Sequence, residues 1–154
     1  MIVLRSLLAV VLLPGVAPVV IPWLIAGWPA RSVTGAAWLG LVPLAFGLTL
    51  FAWCVAIFAA RGRGTLAPWD APRRFVAIGP YRRVRNPMYV GVGSVVLGEA
   101  ILLSSVALAV YVAVLALVWH AFVVFWEEPS LERTFGDEYR SYRASVPRWL
   151  PRLS

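Results

Sequence analysis

The chain has 154 residues, of which 61% are hydrophobic, and a net charge of +7. Soluble globular domains contain about 45–50% apolar residues, so this composition excludes an ordinary water-soluble domain. No aromatic-basic module for RNA or DNA accompanies the positive charge, which excludes nucleic acid as an expected partner. The single cysteine, Cys54, excludes an internal disulfide framework, and the residue spacing predicts no metal site.

Long uncharged runs predict membrane-spanning helices. The runs Ser6–Ala30 and Ser32–Ala60 contain no charged residue, and a helix needs about 20 apolar residues to cross the hydrocarbon core. A third run, Met88–Trp126, is nearly twice that length, so it is expected to fold back at Ser104-Ser105 as a hairpin. We therefore predict an all-α membrane protein, one domain over 1–154, with about four transmembrane helices at 3–27, 34–60, 88–104 and 106–126.

The arginines predict the orientation of these spans. All fourteen basic residues are arginine, with seven between Arg61 and Arg85 and five from Arg133 onward. Because cytoplasmic loops are enriched in basic residues, the 61–87 loop and both termini are expected in the cytoplasm. The bacterial inner membrane is the expected location.

A helix is also predicted after the last span. Beyond Pro129, apolar residues recur every three or four positions, and charged residues occupy the positions between them. This spacing is typical of one apolar helix face. It predicts a C-terminal amphipathic helix over 130–145 that lies at the membrane interface or folds over the 61–87 loop as a lid.

Glycines within the spans predict close helix packing, and Gly40, Pro43 and Gly47 in the second span leave a bend there as the alternative. Gly40 and Gly47 lie in the second span, and the run GVGSVVLG occupies 91–98 in the third. The run does not follow a strand, so a nucleotide-binding loop is excluded by its context. Small residues allow two membrane helices to approach closely.

A few polar residues in the apolar spans are candidates for chemistry. Glu127 and Glu128 end the fourth span, although a helix C-terminus favours cations, so they predict a cationic partner, either Arg85 or a ligand. Glu99 and His120 lie inside the predicted spans and are the candidates for a general base.

Several motifs resemble those of the isoprenylcysteine carboxyl methyltransferase and phospholipid methyltransferase superfamily. They are GPYRRVRNPMYVG at 79–91, EEPSL at 127–131 and FGDEYRSY at 135–142, with G-x-G-T-L-x-P at 62–68 and VPRWLP at 146–151. The resemblance covers about 62–151. It implies a membrane enzyme that transfers a methyl group from S-adenosylmethionine, bound in a cytoplasmic pocket, to a lipophilic acceptor such as a phospholipid amine.

The resemblance also implies roles for individual residues. Glu127 is expected to bind the ammonium group of the cofactor. Arg85 and His120 are the candidate catalytic residues, and Arg85 or Arg73 can pair with the cofactor's carboxylate. The further residues expected to bind the cofactor are Arg73, Arg74, Phe75, Val76, Tyr81, Asn86, Pro87, Met88, Tyr89 and Glu128.

Two positions bear on the acceptor, for which Val123 and Glu99 are the candidate binding residues. Val123 stands where the carboxyl methyltransferases carry an arginine for the substrate carboxylate, and the run Asn86–Tyr89 matches the phospholipid methyltransferases. Both features favour a lipid or another hydrophobic small molecule. The alternatives are a prenylcysteine carboxyl methyltransferase and a non-catalytic membrane scaffold.

Overall fold

The computed structural model describes residues 16, 18–26, 35–57, 60 and 77–152. Most of the predicted first span, most of the predicted 61–87 loop and the residues Arg73, Arg74, Phe75 and Val76 lie outside the described residues.

The described part of the chain is helical and contains no strand. A short helix α1 precedes a 3₁₀ turn at Gly35–Gly40 that leads into α2, and a second 3₁₀ turn at Gly79–Arg82 precedes α3. A π-helical turn at Val123–Glu127 joins α4 to α5. The helices are α1 Ile21–Ala26, α2 Leu41–Ile57, α3 Pro87–Leu102, α4 Val106–Phe122, α5 Glu128–Phe135 and α6 Asp137–Ser145.

Two helical stretches are long and apolar enough to cross a membrane, Gly35–Ile57 and Val106–Phe135. Helix α3 is a shorter apolar helix of 16 residues. Large apolar side chains cover the outside of these helices, and Val106 and Leu117 of α4 are 78% and 71% exposed. Such surfaces suit contact with lipid rather than with water.

Helices α2 and α3 pack antiparallel with their backbones in contact through paired glycines. A Cβ atom added to Gly40 would lie 2.5 Å from the carbonyl oxygen of Gly98, and one added to Gly47 would meet the carbonyl oxygen of Gly91. The glycines of each helix are seven residues apart and therefore share one face. The predicted close packing is confirmed, and no larger side chain fits at these points without displacing a backbone.

Helices α3 and α4 form a hairpin that turns at residues 103–105. The amide of Leu103 donates to the carbonyl of Glu99 at 2.9 Å, and Ser104 adopts a φ of 47°. The hydroxyl of Ser105 accepts the amide of Leu108 at 3.3 Å and caps α4. A serine at this position satisfies a backbone donor that the first helical turn leaves free.

The helix predicted over 130–145 differs from the structure at both its start and its middle. The start of this helix is continuous with α4 through the π turn. Pro129 lacks an amide to donate to the preceding turn, and the π turn accommodates this missing bond. The helix is then interrupted at Gly136, whose φ of 54° lies in the left-handed region that glycine tolerates. The result is two short helices, α5 and α6, in place of one.

Candidate functional site

The predicted site residues are concentrated at one end of the helices, where α3 begins and α4 passes into α5. The C-terminal segment, defined as Val146–Leu150, crosses this end. The amide of Arg85 donates to the carbonyl of Pro147 at 2.9 Å, and the side-chain amide of Asn86 donates to the carbonyl of Arg148 at 3.2 Å. These bonds fix the C-terminal segment against the start of α3.

Glu128 is the centre of a buried ion-pair cluster. Arg148 binds it with two hydrogen bonds, of 2.7 Å from Nε and 3.0 Å from Nη2. Nη1 of Arg85 lies 3.1 Å from Oε1 of the same carboxylate, an ion pair without hydrogen-bond geometry. The hydrogen bond to Glu128 raises the pKa of Arg148, which stays charged. Both arginines therefore neutralise one carboxylate, and the cluster keeps a positive excess.

Glu127, the neighbouring carboxylate, has a different environment. Its Oε2 accepts a hydrogen bond of 2.9 Å from the hydroxyl of Tyr89. Among the described residues no arginine is paired with it, whereas Glu128 has two. A partly buried carboxylate with a single neutral donor favours a cationic partner. Of the two adjacent glutamates, Glu127 is therefore the one whose carboxylate suits an ion pair with an ammonium group.

Arg85 is only partly satisfied by the residues that the structure describes. Its side chain is 9% exposed, and Nε and Nη1 are buried without a hydrogen-bond partner among the described residues. Tyr139, which is 2% exposed, lies beside it. Burial and the nearby Glu128 raise the pKa of Tyr139 to about 12, although the charge of Arg85 and a hydrogen bond with it act in the opposite direction. Because buried guanidinium donors without acceptors cost free energy, an anionic oxygen placed here is stabilised.

Aromatic rings surround Tyr89. Its ring centroid lies 5.2 Å from that of Trp119 on α4 and 6.3 Å from that of Trp149 in the C-terminal segment, which it meets edge to face. The indole nitrogen of Trp149 donates to Nδ1 of His120 at 3.0 Å. His120, Trp149, Tyr89 and Glu127 thus form a continuous chain of contacts.

Tyr81 and the start of α3 complete the site. The carbonyl oxygen of Tyr81 accepts a 2.6 Å hydrogen bond from the hydroxyl of Tyr142, so α6 is tied to the turn before α3. Burial, then the proximity of Cys54, raises the pKa of Tyr81 well above its usual range, so its hydroxyl stays protonated. Asn86 and Pro87 are buried, and Met88 is half-buried. A proline at the first helical position suits the start of α3 because no amide is needed there.

The structure brings together most, though not all, of the predicted site residues. Glu99 is separated from the others: it lies ten residues beyond Tyr89 in α3, about 15 Å along the helix axis. Val123 is fully buried at the start of the π turn. The residues gathered at this end are Tyr81, Arg85, Asn86, Pro87, Met88, Tyr89, His120, Val123, Glu127 and Glu128.

Sequence reasoning gave no role to Arg148, Trp149, Trp119 and Tyr139, which complete the site. The motif VPRWLP was recognised as part of the resemblance, and its arginine and tryptophan were the available signal. Nothing in the spacing indicates that Arg148 meets Glu128 twenty residues earlier.

At the end of the apolar helices, the described residues thus bring together a buried arginine with two side-chain nitrogens that lack a hydrogen-bond partner and a carboxylate that is paired with no arginine. Residues 36–138, two thirds of the chain, match the family model described as phospholipid methyltransferase. The chain belongs to the phospholipid methyltransferase family, which confirms the resemblance seen in its motifs. No curated protein matches the chain.

Proposed function

We propose that this protein transfers a methyl group from S-adenosylmethionine to a lipophilic acceptor, such as a phospholipid amine, at the membrane surface. The family match supports methyl transfer as the reaction class. The observation that carries the proposal is the contrast between the two glutamates: Glu128 is paired with two arginines, and Glu127 accepts a hydrogen bond from the Tyr89 hydroxyl.

The residues present fit the amino-acid end of this cofactor, which carries an ammonium and a carboxylate. Glu127 provides a negatively charged oxygen for the ammonium. Arg85 provides buried donors without partners among the described residues, and these suit the carboxylate. The ring of Tyr89, whose hydroxyl binds Glu127, packs against the ring of Trp149, and such aromatic rings favour a neighbouring cation such as a sulfonium.

When bound, the cofactor would supply an electrophilic methyl group. The chain's own contribution is then to bind and to orient, because methyl transfer is an in-line displacement in which positioning supplies much of the rate. Glu127 and Arg85 would fix the direction of the cofactor, and the C-terminal segment would limit the access of water to it.

Val123 supports a lipid amine or another uncharged nucleophile as the acceptor. Its side chain is fully buried and apolar at the start of the turn that carries Glu127. A carboxylate acceptor would need a cation at this place, and Val123 offers none. Carboxyl methylation of a prenylcysteine is therefore disfavoured relative to methylation of a lipid.

The proposal includes a topology of four spans in a bacterial inner membrane, with both termini and the site in the cytoplasm and α5 and α6 at the interface. Exposed arginines near the site, among them Arg82, Arg83 and Arg143, support this orientation. An impermeant maleimide applied outside the cell should label Ser104→Cys, at the α3–α4 turn. Ser141→Cys, on α6, should be labelled only after permeabilisation.

The test of the proposed function is calorimetric titration of the detergent-purified protein with S-adenosylhomocysteine, beside Glu127→Gln. Glu138→Gln is the matched control, because it removes one exposed acidic charge from α6. We expect saturable binding by the wild type and the control, and at least a tenfold loss of affinity in Glu127→Gln. A folded wild-type protein that binds no S-adenosylhomocysteine would support the non-catalytic scaffold instead.

A further inference from the structure

The C-terminal segment meets the site through three consecutive residues that differ in what they contribute. Pro147 and Arg148 offer backbone carbonyls to the start of α3, and Arg148 also binds Glu128. Trp149 alone reaches the aromatic group around Tyr89, and its indole nitrogen is held by His120. The first two residues fix the segment to the start of α3, and the bond between Trp149 and His120 is a further attachment that also sets the direction of one ring.

We propose that Trp149 and His120 form a positioning pair that fixes the ring of Tyr89 and, through its hydroxyl, the carboxylate of Glu127. The inference rests on the proposed function, because it assigns to the pair the control of cofactor affinity at that site. Neither residue of the pair needs to touch the reacting atoms. They are positioning residues, and Glu127 is the group they position.

The contacts around Tyr89 explain how the pair restricts the orientation of its ring. Trp119 supports the Tyr89 ring from α4 at 5.2 Å, and Trp149 meets it edge to face at 6.3 Å from the C-terminal segment. Such paired aromatic contacts are favourable and restrict the ring. With the ring fixed, the hydroxyl stays 2.9 Å from Oε2 of Glu127. Without Trp149 the ring loses one of these two neighbours, and the carboxylate loses its defined orientation.

The hydrogen bond also decides what His120 does. An indole nitrogen can only donate, so Nδ1 of His120 must accept, and the ring is the neutral tautomer with its hydrogen on Nε2. Both nitrogens are then occupied, one by Trp149 and the other by its own hydrogen. In this geometry the lone pair of Nδ1 is directed at Trp149. This favours a positioning role for His120 over the predicted role as a catalytic base.

The experiment compares Trp149→Phe, His120→Ala and His120→Asn in the full-length protein. Trp149→Phe keeps an aromatic ring but removes the donor, and His120→Asn keeps an acceptor near the position of Nδ1. Trp126→Phe is the control for tryptophan replacement, since Trp126 is 64% exposed on the π turn. Thermal denaturation establishes that each variant is folded.

We expect Trp149→Phe and His120→Ala each to raise the Kd for S-adenosylhomocysteine and the KM for S-adenosylmethionine by about 3- to 10-fold, the effect of one lost hydrogen bond. We expect kcat to change less than twofold, because the lost bond contributes equally to cofactor binding in the ground state and in the transition state. The double variant should be no worse than either single variant, since both remove the same bond. His120→Asn should recover most of the affinity that His120→Ala loses, and Trp126→Phe should retain the wild-type values.

A second readout does not depend on the cofactor. Trypsin cleaves after Arg148, and this peptide bond should be cut about threefold faster in Trp149→Phe and His120→Ala, but not in His120→Asn, because the C-terminal segment opens more often without the Trp149 bond.

Equal affinities and equal cleavage rates in all variants would overturn the positioning pair alone, as would strictly additive effects or a drop in kcat at constant KM. A wild type that binds no S-adenosylhomocysteine would overturn the proposed function instead.

Discussion

Helix α3 meets two different environments along its length. In its middle, Gly91 and Gly98 contact the backbone of α2 at Gly47 and Gly40. At its start, Asn86 and the neighbouring Arg85 donate hydrogen bonds to the C-terminal segment, and Arg85 also forms an ion pair with Glu128 of α5. The glycine contact requires that no side chain lies between the two backbones, whereas the contact at the start of α3 depends on hydrogen bonds and on the pairing of charges.

The difference shows how an apolar helix can be fixed at two points by unrelated means. Because lipid is as apolar as a leucine side chain, helices in a bilayer associate through steric fit rather than through the hydrophobic effect. The paired glycines provide such a fit, whereas the polar end is held by hydrogen bonds and ion pairs. Substitutions in the two regions should therefore differ in the size of their effect and in whether they change stability or cofactor affinity.

The largest effect is expected from Glu128→Gln. This substitution leaves the buried Arg85 and the half-buried Arg148 without their shared carboxylate. Removing one partner of a buried ion pair costs about 3 kcal/mol or more, so the free energy of unfolding should fall by that amount. Denaturation in detergent measures it, with Glu138→Gln as the exposed control. An unchanged midpoint would show that the cluster contributes nothing to the stability of this end.

A smaller effect, confined to the apolar region, is expected from Gly98→Ala. The added Cβ would lie 2.6 Å from Cβ of Leu44 and 2.7 Å from the carbonyl oxygen of Gly40, so α2 and α3 must separate. Overpacking of this kind costs about 1–3 kcal/mol.

Gly93→Ala, on the same helix, is the matched control for this loss of stability. Its Cβ meets Trp119 at 3.7 Å, which is ordinary contact, and alanine favours a helix over glycine. Equal thermal midpoints for Gly98→Ala and Gly93→Ala would contradict the close α2–α3 contact.

Tyr89→Phe should affect cofactor binding more than stability. It removes the hydroxyl that donates to Glu127 but keeps the ring between Trp119 and Trp149. Calorimetry should show S-adenosylhomocysteine affinity reduced about 3- to 10-fold, the size expected when a hydrogen bond worth about 1 kcal/mol is lost. Tyr142→Phe is the contrasting variant, because it removes the bond to the Tyr81 carbonyl and should lower stability without a comparable loss of affinity.

The smallest effect is expected from Arg140→Ala. Arg140 pairs with Asp137 and Glu132 on the exposed face of α5 and α6, and its side chain is 55% exposed. Exposed pairs of this kind contribute little, so the thermal midpoint should not move measurably. A clear drop would mean that the exposed charges of α6 stabilise the site as the buried cluster does.

The apolar region was the part that sequence could predict well. Gly40 and Gly47 indicate close packing or a bend, because glycine inside an apolar span has few other structural uses. A Ser-Ser pair in a run nearly twice as long as the bilayer is thick indicates a turn. Local signals of this kind need no knowledge of distant residues.

The polar end was predictable only through its motifs. They placed Glu127, Tyr89 and Arg85 in one site, but not the pairing within it. An arginine count cannot tell which of fourteen guanidinium groups meets Glu128, since that depends on how the chain after α6 returns to α3. The π turn was also missed, because a single extra residue in a helical turn leaves no trace in an apolar run that is hydrophobic on all sides.

The π turn at Val123–Glu127 has a consequence for how the two glutamates are distinguished. An α-helix advances about 100° per residue, and a π turn holds one residue more than the α-helical turn it replaces. Deleting a single residue from this turn would restore the α-helical register and rotate everything after it by about that angle. Glu128 would then take the angular position of Glu127 and face Tyr89, and the arginines would face Pro129 instead. Which of the two carboxylates faces Tyr89 and which faces the arginines therefore depends on the length of the chain at this turn as much as on the two glutamates themselves.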